Sequence, residues 1–598
     1  MKRILSIFII VAALFTMSCS DIGFGNNAFS DAPEQEGATI DSMFNSMYNA
    51  DRVLAAAYSY LPYGIPVSGY SKLGSNVLES LTDLQHSWKS GMTDGPRNLY
   101  YNGALSNSLS STLSGSEAYR FGSKTEYHAI RYAWIYIENA HLIPNITDYN
   151  RKLRIAEAKI IIALSYAEML RYVGGVPLLK SSVDVSDDMY FPRNTFAETV
   201  DYILELIEEA KDDLPWSVAD ISVDAGRMTR AAALGLKLRL LCFVASPTFN
   251  SDEPWHSQAD AYTRFTDGYK ASRWEDAYNA GVEFFQEQSY GGFYALVQPS
   301  SDSHRDRRLA FRSGYVETCT TESIISIRKG NSTTLHSLLF PNNIFSGPTL
   351  NYADMFDWDG GETFDAEGFD WSNPSRDPFF VPVENQTPGD ATRDPRLYET
   401  IAVPGDLNMY GAVAPVHKNS TSYLANPEHT GFYIMKFNMQ QTSDRNIAPH
   451  WPYMRYAEVL LNYAEAINEH LGAPNSTAYD LVDQVRNRVG MGLAKRGQSK
   501  TEFRAYLLKE RAMEFGLEEV RWFDLVRWNM QDEFKKQLYA LESYGVDDIA
   551  APTVFTFNKV ELATYRYWAD NFDTKWYLSP IPNTELNKGY GMTQNPGW

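Results

Sequence analysis

WPYMRYAEVLLNYAEAINEHLGAPNSTAYDLVDQVRNRVG, Trp451 to Gly490, spells a helical hairpin. Tyr453, Ala457, Leu460, Ala464, Ile467 and Leu471 recur at steps of four and three, which puts them on one helical face. Gly472 accepts the left-handed conformation that ends a helix, and Pro474 prevents continuation. Thr477 is placed to cap a second helix, with Ala478, Leu481, Val482, Val485 and Val489 inward and Gly490 at its end. A connection this short makes the two helices antiparallel, and the alanines of the first let its partner approach closely.

The same grammar recurs upstream. Helical patterns run over Asp41–Leu61, Lys124–Ile143 and Arg151–Val173, then from Thr195 to Leu214, over Thr229–Ala245 and from Ser272 to about Gln286. Ser123/Glu126, Thr195/Glu198, Ser272/Glu275 and Ser499/Glu502 have the spacing of capping boxes. The segments share size and pairing but no strict 34-residue consensus. From Ser289 to His450, Pro, Gly, Asn and Asp become frequent, and only Ile324–Ile327 and Phe432–Phe437 look like strands. The fold class is therefore mainly α: a tetratricopeptide-like helical-hairpin scaffold with a large irregular loop region and a few short strands.

With 598 residues, 44% of them hydrophobic, the chain is long enough for a substantial core. A net charge of -21 argues against nucleic acid as a partner. The aromatic share of 14% suits a helical core, and equally suits packing against the C–H faces of sugar rings. Three cysteines, Cys19, Cys242 and Cys319, exclude a dense disulfide framework. Cys242, in LRLLCFVAS, reads as a small buried hydrophobe.

Cys19 has another context. Lys2 and Arg3 precede an apolar run, Ile4–Phe15, too short for a good membrane span, and Thr16-Met17-Ser18-Cys19 follows as a cleavage region. This resembles a bacterial lipobox, with residues 1–18 as signal peptide, Cys19 as the lipidated residue and 19–37 as anchor and tether; an ordinary secretory signal is the alternative.

No HExxH, paired CxxC, Walker loop or GxSxG occurs. Asp357-Trp358-Asp359-Gly360-Gly361-Glu362 superficially resembles a calcium loop. Met355 stands where the first carboxylate ligand belongs, however, and no closing Glu follows, so the segment reads as a turn with calcium as the alternative. Glu510, Arg511, Glu514, Glu518, Arg521, Asp524 and Arg527 form a mixed-charge run on a helix, read as an ion-pair network fixing the last helices and not as an acid/base pair. The candidate stacking platforms are Trp88, Tyr100 and Tyr101 in the first long loop, and Trp358 and Trp371 in the irregular region, each with core packing as its competing role.

Several segments together resemble one family. They are IAEAKIIIALSYAEMLRYVGGVPLL, GRMTRAAALGLKLRLLCFVAS, the turn Arg393-Asp394-Pro395-Arg396, MRYAEVLLNYAEAINEHLG, LVDQVRNRVGM, LLKERAMEFGLEEVRWFDLVRW and the terminal PIPNTELN…TQNPGW. In this order they are similar to the SusD-like (RagB/SusD) nutrient-binding outer-membrane lipoproteins. The resemblance implies one domain over 38–598, with helical blocks at about 38–288 and 451–530 and a capture region at about 289–450. It implies a surface-exposed, lipid-anchored outer-membrane protein, not an enzyme. Such a protein binds oligosaccharide or polysaccharide by stacking and hydrogen bonds and delivers it to a SusC-like TonB-dependent transporter. Peptide binding is the alternative within the family, and a surface glycosidase the alternative outside it. The matched motifs are scaffold motifs, so none of them supplies a binding residue, and no cofactor is implied.

Overall fold

In the computed structural model, the described residues are 39–65, 78–87, 97–108, 125–184, 187–328, 346–382, 392–407, 413–420, 429–437, 450–548, 550–562 and 566–598. Cys19, Trp88 and Ser123 lie outside them. The principal helices are α1 (Met47–Ser59), α2 (Thr125–Asn139), α3 (Asp148–Val173), α4 (Phe196–Ala210), α5 (Arg230–Ala245), α6 (Ser272–Gly291), α7 (His304–Val316), α8 (Tyr456–Leu471), α9 (Ser476–Arg488), α10 (Lys500–Phe515) and α11 (Arg521–Arg527). Each packs on the next in an array from α1 through α6, and α6 then packs on α8, which holds α9 and α10. The scaffold is tetratricopeptide-like, and the two helical blocks are continuous in space.

The caps are largely those the sequence spells. Thr195/Glu198 and Ser499/Glu502 form reciprocal capping boxes, and Thr229 caps α5. Three expectations need correction. The segment from Asp41 to Leu61 is two helices, because Ser46 turns to extended backbone and caps α1. Asn475, not Thr477, caps α9, its side chain accepting the Ala478 N–H. Ser272 begins α6 without capping it.

The opening hairpin also starts later than its periodicity suggests. Trp451–Arg455 is a strand, antiparallel to Ser323–Ile327, with Ile327 opposite Trp451. Alternation over five residues fits either structure, and the partner strand decides. The helix is Tyr456–Leu471, ending at Gly472 with φ +81°. Its face is pressed so closely on α6 that a Cβ at Gly281 would lie 2.0 Å from the Tyr463 ring. A hairpin of Tyr539–Gly545 and Phe555–Glu561 completes the last large element.

Buried charge holds the C-terminal half together, as the mixed-charge run predicts. The run is interrupted: α10 ends at Phe515, and α11 begins at Arg521 after Leu517 and Glu519 at positive φ. Glu514 accepts from Arg488 at 2.6 Å, Arg455 at 3.0 Å and Arg396 at 3.2 Å. Glu322, Glu518, Glu510, Asp394, Arg486 and Lys436 extend the cluster. Beside it, Asp524 joins Arg511 and Arg527, and Arg527 reaches Glu465. Arg521 pairs with Asp83 and not along the helix.

The turn at Arg393–Arg396 now has a physical account. Arg393 donates to the Phe356 and Ala353 carbonyls, Asp394 caps a short helix, Pro395 opens it, and Arg396 carries the network. Cys242 is buried, its thiol 3.5 Å from the Asn462 carbonyl.

Candidate functional site

Of the aromatic residues picked from sequence, the four among the described residues do not form an exposed platform. Tyr100 and Tyr101 are fully buried, and Trp358 and Trp371 retain 5% and 4% of their surface. The Tyr101 hydroxyl donates to the Ser80 carbonyl and receives the Ser87 N–H and an Arg566 N–H, so it ties loop segments together. Trp358 lies under the Arg376 and Arg393 guanidiniums, and Trp371 packs edge-on against Phe369 and Phe557. Ser, Gly and Asn around these rings made the segments look exposed, and long-range packing buries them. At the calcium-like loop, Lys509 stands 2.8 Å from Asp357 and Arg307 stands 3.5 Å from Asp359, so protein cations occupy both carboxylates.

A concavity with mixed lining lies elsewhere among the described residues. A cavity of about 280 Å³ opens between α1, the segment Val223–Arg227 and the end of strand Ser323–Ile327. That is close to the lower end, about 300 Å³, of volumes typical for ligand pockets. Leu54, Ala55, Tyr58 and Leu61 form one wall; Asp51, Ser59, Arg227, Ser326 and Arg328 supply polar groups. Gly226, Arg227 and Ser326 also line a smaller cavity, of about 30 Å³, that reaches Ile221, Phe293, Tyr294 and Cys319, so the two cavities adjoin across a shared wall as a bipartite cleft. Gly226, at φ +85°, would place a Cβ 3.2 Å from the Ser326 carbonyl, which explains how loop and strand come so close.

One end of the cleft is apolar and accessible. Phe293 is 37% exposed, Ile221 42% and Val223 75%. Phe293 and Cys319 are two of seven non-glycine residues at positive φ in the described chain, at +74° and +67°. A bulky residue there is strained, and such strain concentrates at functional sites. Beneath Phe293, Trp216 donates to the Gly292 carbonyl at 2.8 Å and meets the Tyr294 ring edge-on.

The other end is charged but tightly tied. The Tyr58 hydroxyl donates to Glu157 at 2.9 Å and accepts the Met228 N–H at 2.8 Å. Burial, reinforced by the Glu157 charge, drives its pKa well above the ordinary phenol value, so it stays a donor. Arg227 binds Glu157 at 3.1 Å and Asp224 at 3.0 Å, and Asp51 lies near Arg154 and Arg227. Burial alone would lower the Arg227 pKa; Glu157 more than reverses this and keeps it charged.

A second cavity, of about 40 Å³, is lined by Glu168, Arg171, Arg239, Glu458, Arg511, Asp524 and Arg527, and takes water molecules and nothing larger. It belongs to the ion-pair network. Among the described residues, no group of His, Cys, Asp and Glu is arranged to hold a metal ion. None of their helices is long and apolar enough to cross a membrane.

The cleft assembles from four distant segments, and so left little trace in the sequence. The available signal was Ile221 and Val223, apolar in an otherwise polar loop, ISVDAGRMT.

Residues 342–598 match the sequence model of the SusD family. A curated SusD-like protein of Formosa agariphila is 27% identical over 407 residues, 65% of this chain and 68% of that one. A SusD-like carbohydrate-binding protein of Bacteroides fragilis superposes with a TM-score of 0.65 at 20% identity, covering 91% of this chain and 99% of that one. The surface glycan-binding protein A of Bacteroides fluxus does so with a TM-score of 0.58 at 18% identity, covering 93% and 100%. Residues 342–598 thus carry the SusD family's sequence pattern, and the chain as a whole has a SusD-like fold.

Proposed function

We propose that this protein is a non-catalytic, cell-surface glycan-binding lipoprotein. Anchored in the outer membrane through Cys19, it captures oligosaccharides in the bipartite cleft and delivers them to a SusC-like TonB-dependent transporter. The observation that carries this reading is the juxtaposition, across adjoining cavities, of a strained, accessible Phe293 shelf with the hydroxyls of Ser59 and Ser326 and the guanidinium of Arg328. An apolar plane beside converging hydrogen-bonding groups suits a sugar ring, whose faces are apolar and whose rim is polar. The names of the solved relatives, a carbohydrate-binding and a surface glycan-binding protein, support the ligand class.

Asp51 is the one carboxylate among the described lining residues, and arginines hold it. Glycoside hydrolysis needs two carboxyl groups facing each other about 5–9.5 Å apart, so this lining supports binding without cleavage.

The test is a panel of soluble oligosaccharides and peptides, scored for retention and for hydrolysis. The expected result is retention of a glycan, unhydrolysed. Phe293→Ala should weaken it about tenfold, a stacking contribution of roughly 1.4 kcal/mol, while the melting temperature stays close to that of the parent. Retention of peptides alone, or an unchanged affinity in the variant, would remove the cleft as a glycan site. Separately, Cys19→Ala should move the protein from the membrane to the soluble fraction of cells; persistence in the membrane would sink the lipid anchor.

A further inference from the structure

We propose that the glycan bound in this cleft carries an acidic group, a carboxylate or a sulfate ester, and that Arg328 holds it. The inference rests on the cleft being the glycan site and concerns the class of glycan it takes.

The argument is one of charge pairing. Three charged side chains line the larger cavity among the described residues: Asp51, Arg227 and Arg328. Asp51 sits 3.3 Å from Arg154 and 3.7 Å from Arg227. Arg227 in turn holds Glu157 and Asp224. These groups neutralise one another within the wall. Arg328 has no carboxylate within ion-pair distance among the described residues, and it is exposed to solvent. One net positive charge therefore faces the cavity, in a chain whose overall charge is -21.

Position strengthens this reading. Arg328 follows Ile327, which is buried and paired with Trp451, so its backbone emerges from a fixed strand and not from a free loop. The titratable neighbours that feel its charge are Tyr63 and His450. Burial raises Tyr63 to about 12, against the pull of Arg328, and it stays neutral. Burial, with Arg328 and Arg455, lowers His450 to about 3, so it too is uncharged at neutral pH. Neither neighbour supplies the missing anion. A guanidinium presents parallel donors that match two oxygens of a carboxylate or sulfate, whereas a neutral hydroxyl satisfies only one. The Ser59 hydroxyl, whose proton goes to the Ala56 carbonyl, keeps its acceptor side for a hydroxyl of the same sugar.

The experiment is calorimetric titration with three ligand sets. These are oligogalacturonides, sulfated galacto-oligosaccharides, and the neutral form of each made by carboxyl reduction or desulfation. At least one acidic ligand should bind about tenfold or more tightly than its neutral counterpart. Arg328→Gln should abolish that preference, weakening the acidic ligand about tenfold or more and its neutral counterpart far less, and about 0.5 M salt should erode it. The source of the charge is read from pH: binding of a uronate falls as its carboxyl protonates below about pH 4, and binding of a sulfate ester does not. Equal binding of acidic and neutral forms, with Arg328→Gln silent, would overturn the acidic-ligand assignment while leaving the glycan site intact. Failure of the unaltered protein to retain any glycan in the wider panel would overturn both.

Discussion

Glu514→Gln is expected to cost about 3–5 kcal/mol of folding stability, the loss seen when one partner of a buried ion cluster is removed. Glu514 is fully buried and accepts hydrogen bonds from Arg488, Arg455 and Arg396. Its cluster is balanced: Arg396, Lys436, Arg455, Arg486 and Arg488 face Asp394, Glu322, Glu510, Glu514 and Glu518. Glutamine keeps the volume but turns an amide donor toward guanidiniums that are themselves donors, and leaves one positive charge uncompensated. Urea unfolding should show a lower midpoint at unchanged slope. A companion change, Arg488→Met, should restore part of the loss, because it removes the orphaned charge. A single-variant loss below about 1 kcal/mol would mean that the cluster contributes little beyond shape.

The second large effect is the dependence of stability on pH, where buried groups pull in opposite directions. Glu399, Glu458, Glu514 and Asp524 are pushed up by burial, but adjacent arginines outweigh this and hold them below the usual carboxylate range. Folded pKa values below unfolded ones mean that their stabilisation is present above about pH 4 and is lost as acid protonates them. Burial lowers His304 to about 3, His429 to about 4 and His450 to about 3, so they stay neutral in the fold and destabilise it once the unfolded chain charges below about pH 6.5.

Glu79 and Asp354 behave oppositely. Burial raises them to about 8 and about 7, the Glu519 N–H partly offsetting it for Glu79 and Arg393 for Asp354. The folded protein therefore retains protons that the unfolded chain releases above about pH 4, and stability declines as pH rises toward 8. The melting temperature should climb steeply from about pH 3 to 6 and sag toward pH 8. Glu79 sits among Lys436, Asp83, Glu519 and Tyr352. Glu79→Gln still accepts the Glu519 N–H and should flatten the sag, gaining roughly 5 kcal/mol at most at pH 8. A variant curve parallel to the parent's between pH 5 and 8 would show that Glu79 ionises normally.

Much of the scaffold was legible because its signals are local. The boxes at Thr195 and Ser499 and the stop at Gly472 need only neighbouring residues to form. The mixed-charge run was legible too, since eight charges in eighteen residues of an otherwise apolar block have to find partners in the interior. Helix α7 was not read. Its inward face carries Arg308 and Arg312, which meet Glu399 and Asp406, so charge stands where an apolar stripe would be sought. The burial of Tyr100, Tyr101, Trp358 and Trp371 was hidden for a related reason. Whether Tyr101 faces solvent depends on Arg566, 465 positions away, and no local composition reports that. The cleft is the extreme case, since residues from Asp51 to Arg328 meet only after the array has closed.

The buried charges also set when this chain is able to fold. Glu322 waits for Arg455 and Arg488, 133 and 166 positions downstream, and Arg396 waits for Glu510 at a separation of 114. A chain emerging amino end first keeps those groups in water until its last fifth is available, because withdrawing any of them unpaired is too costly. The interior is thereby closed by its latest residues.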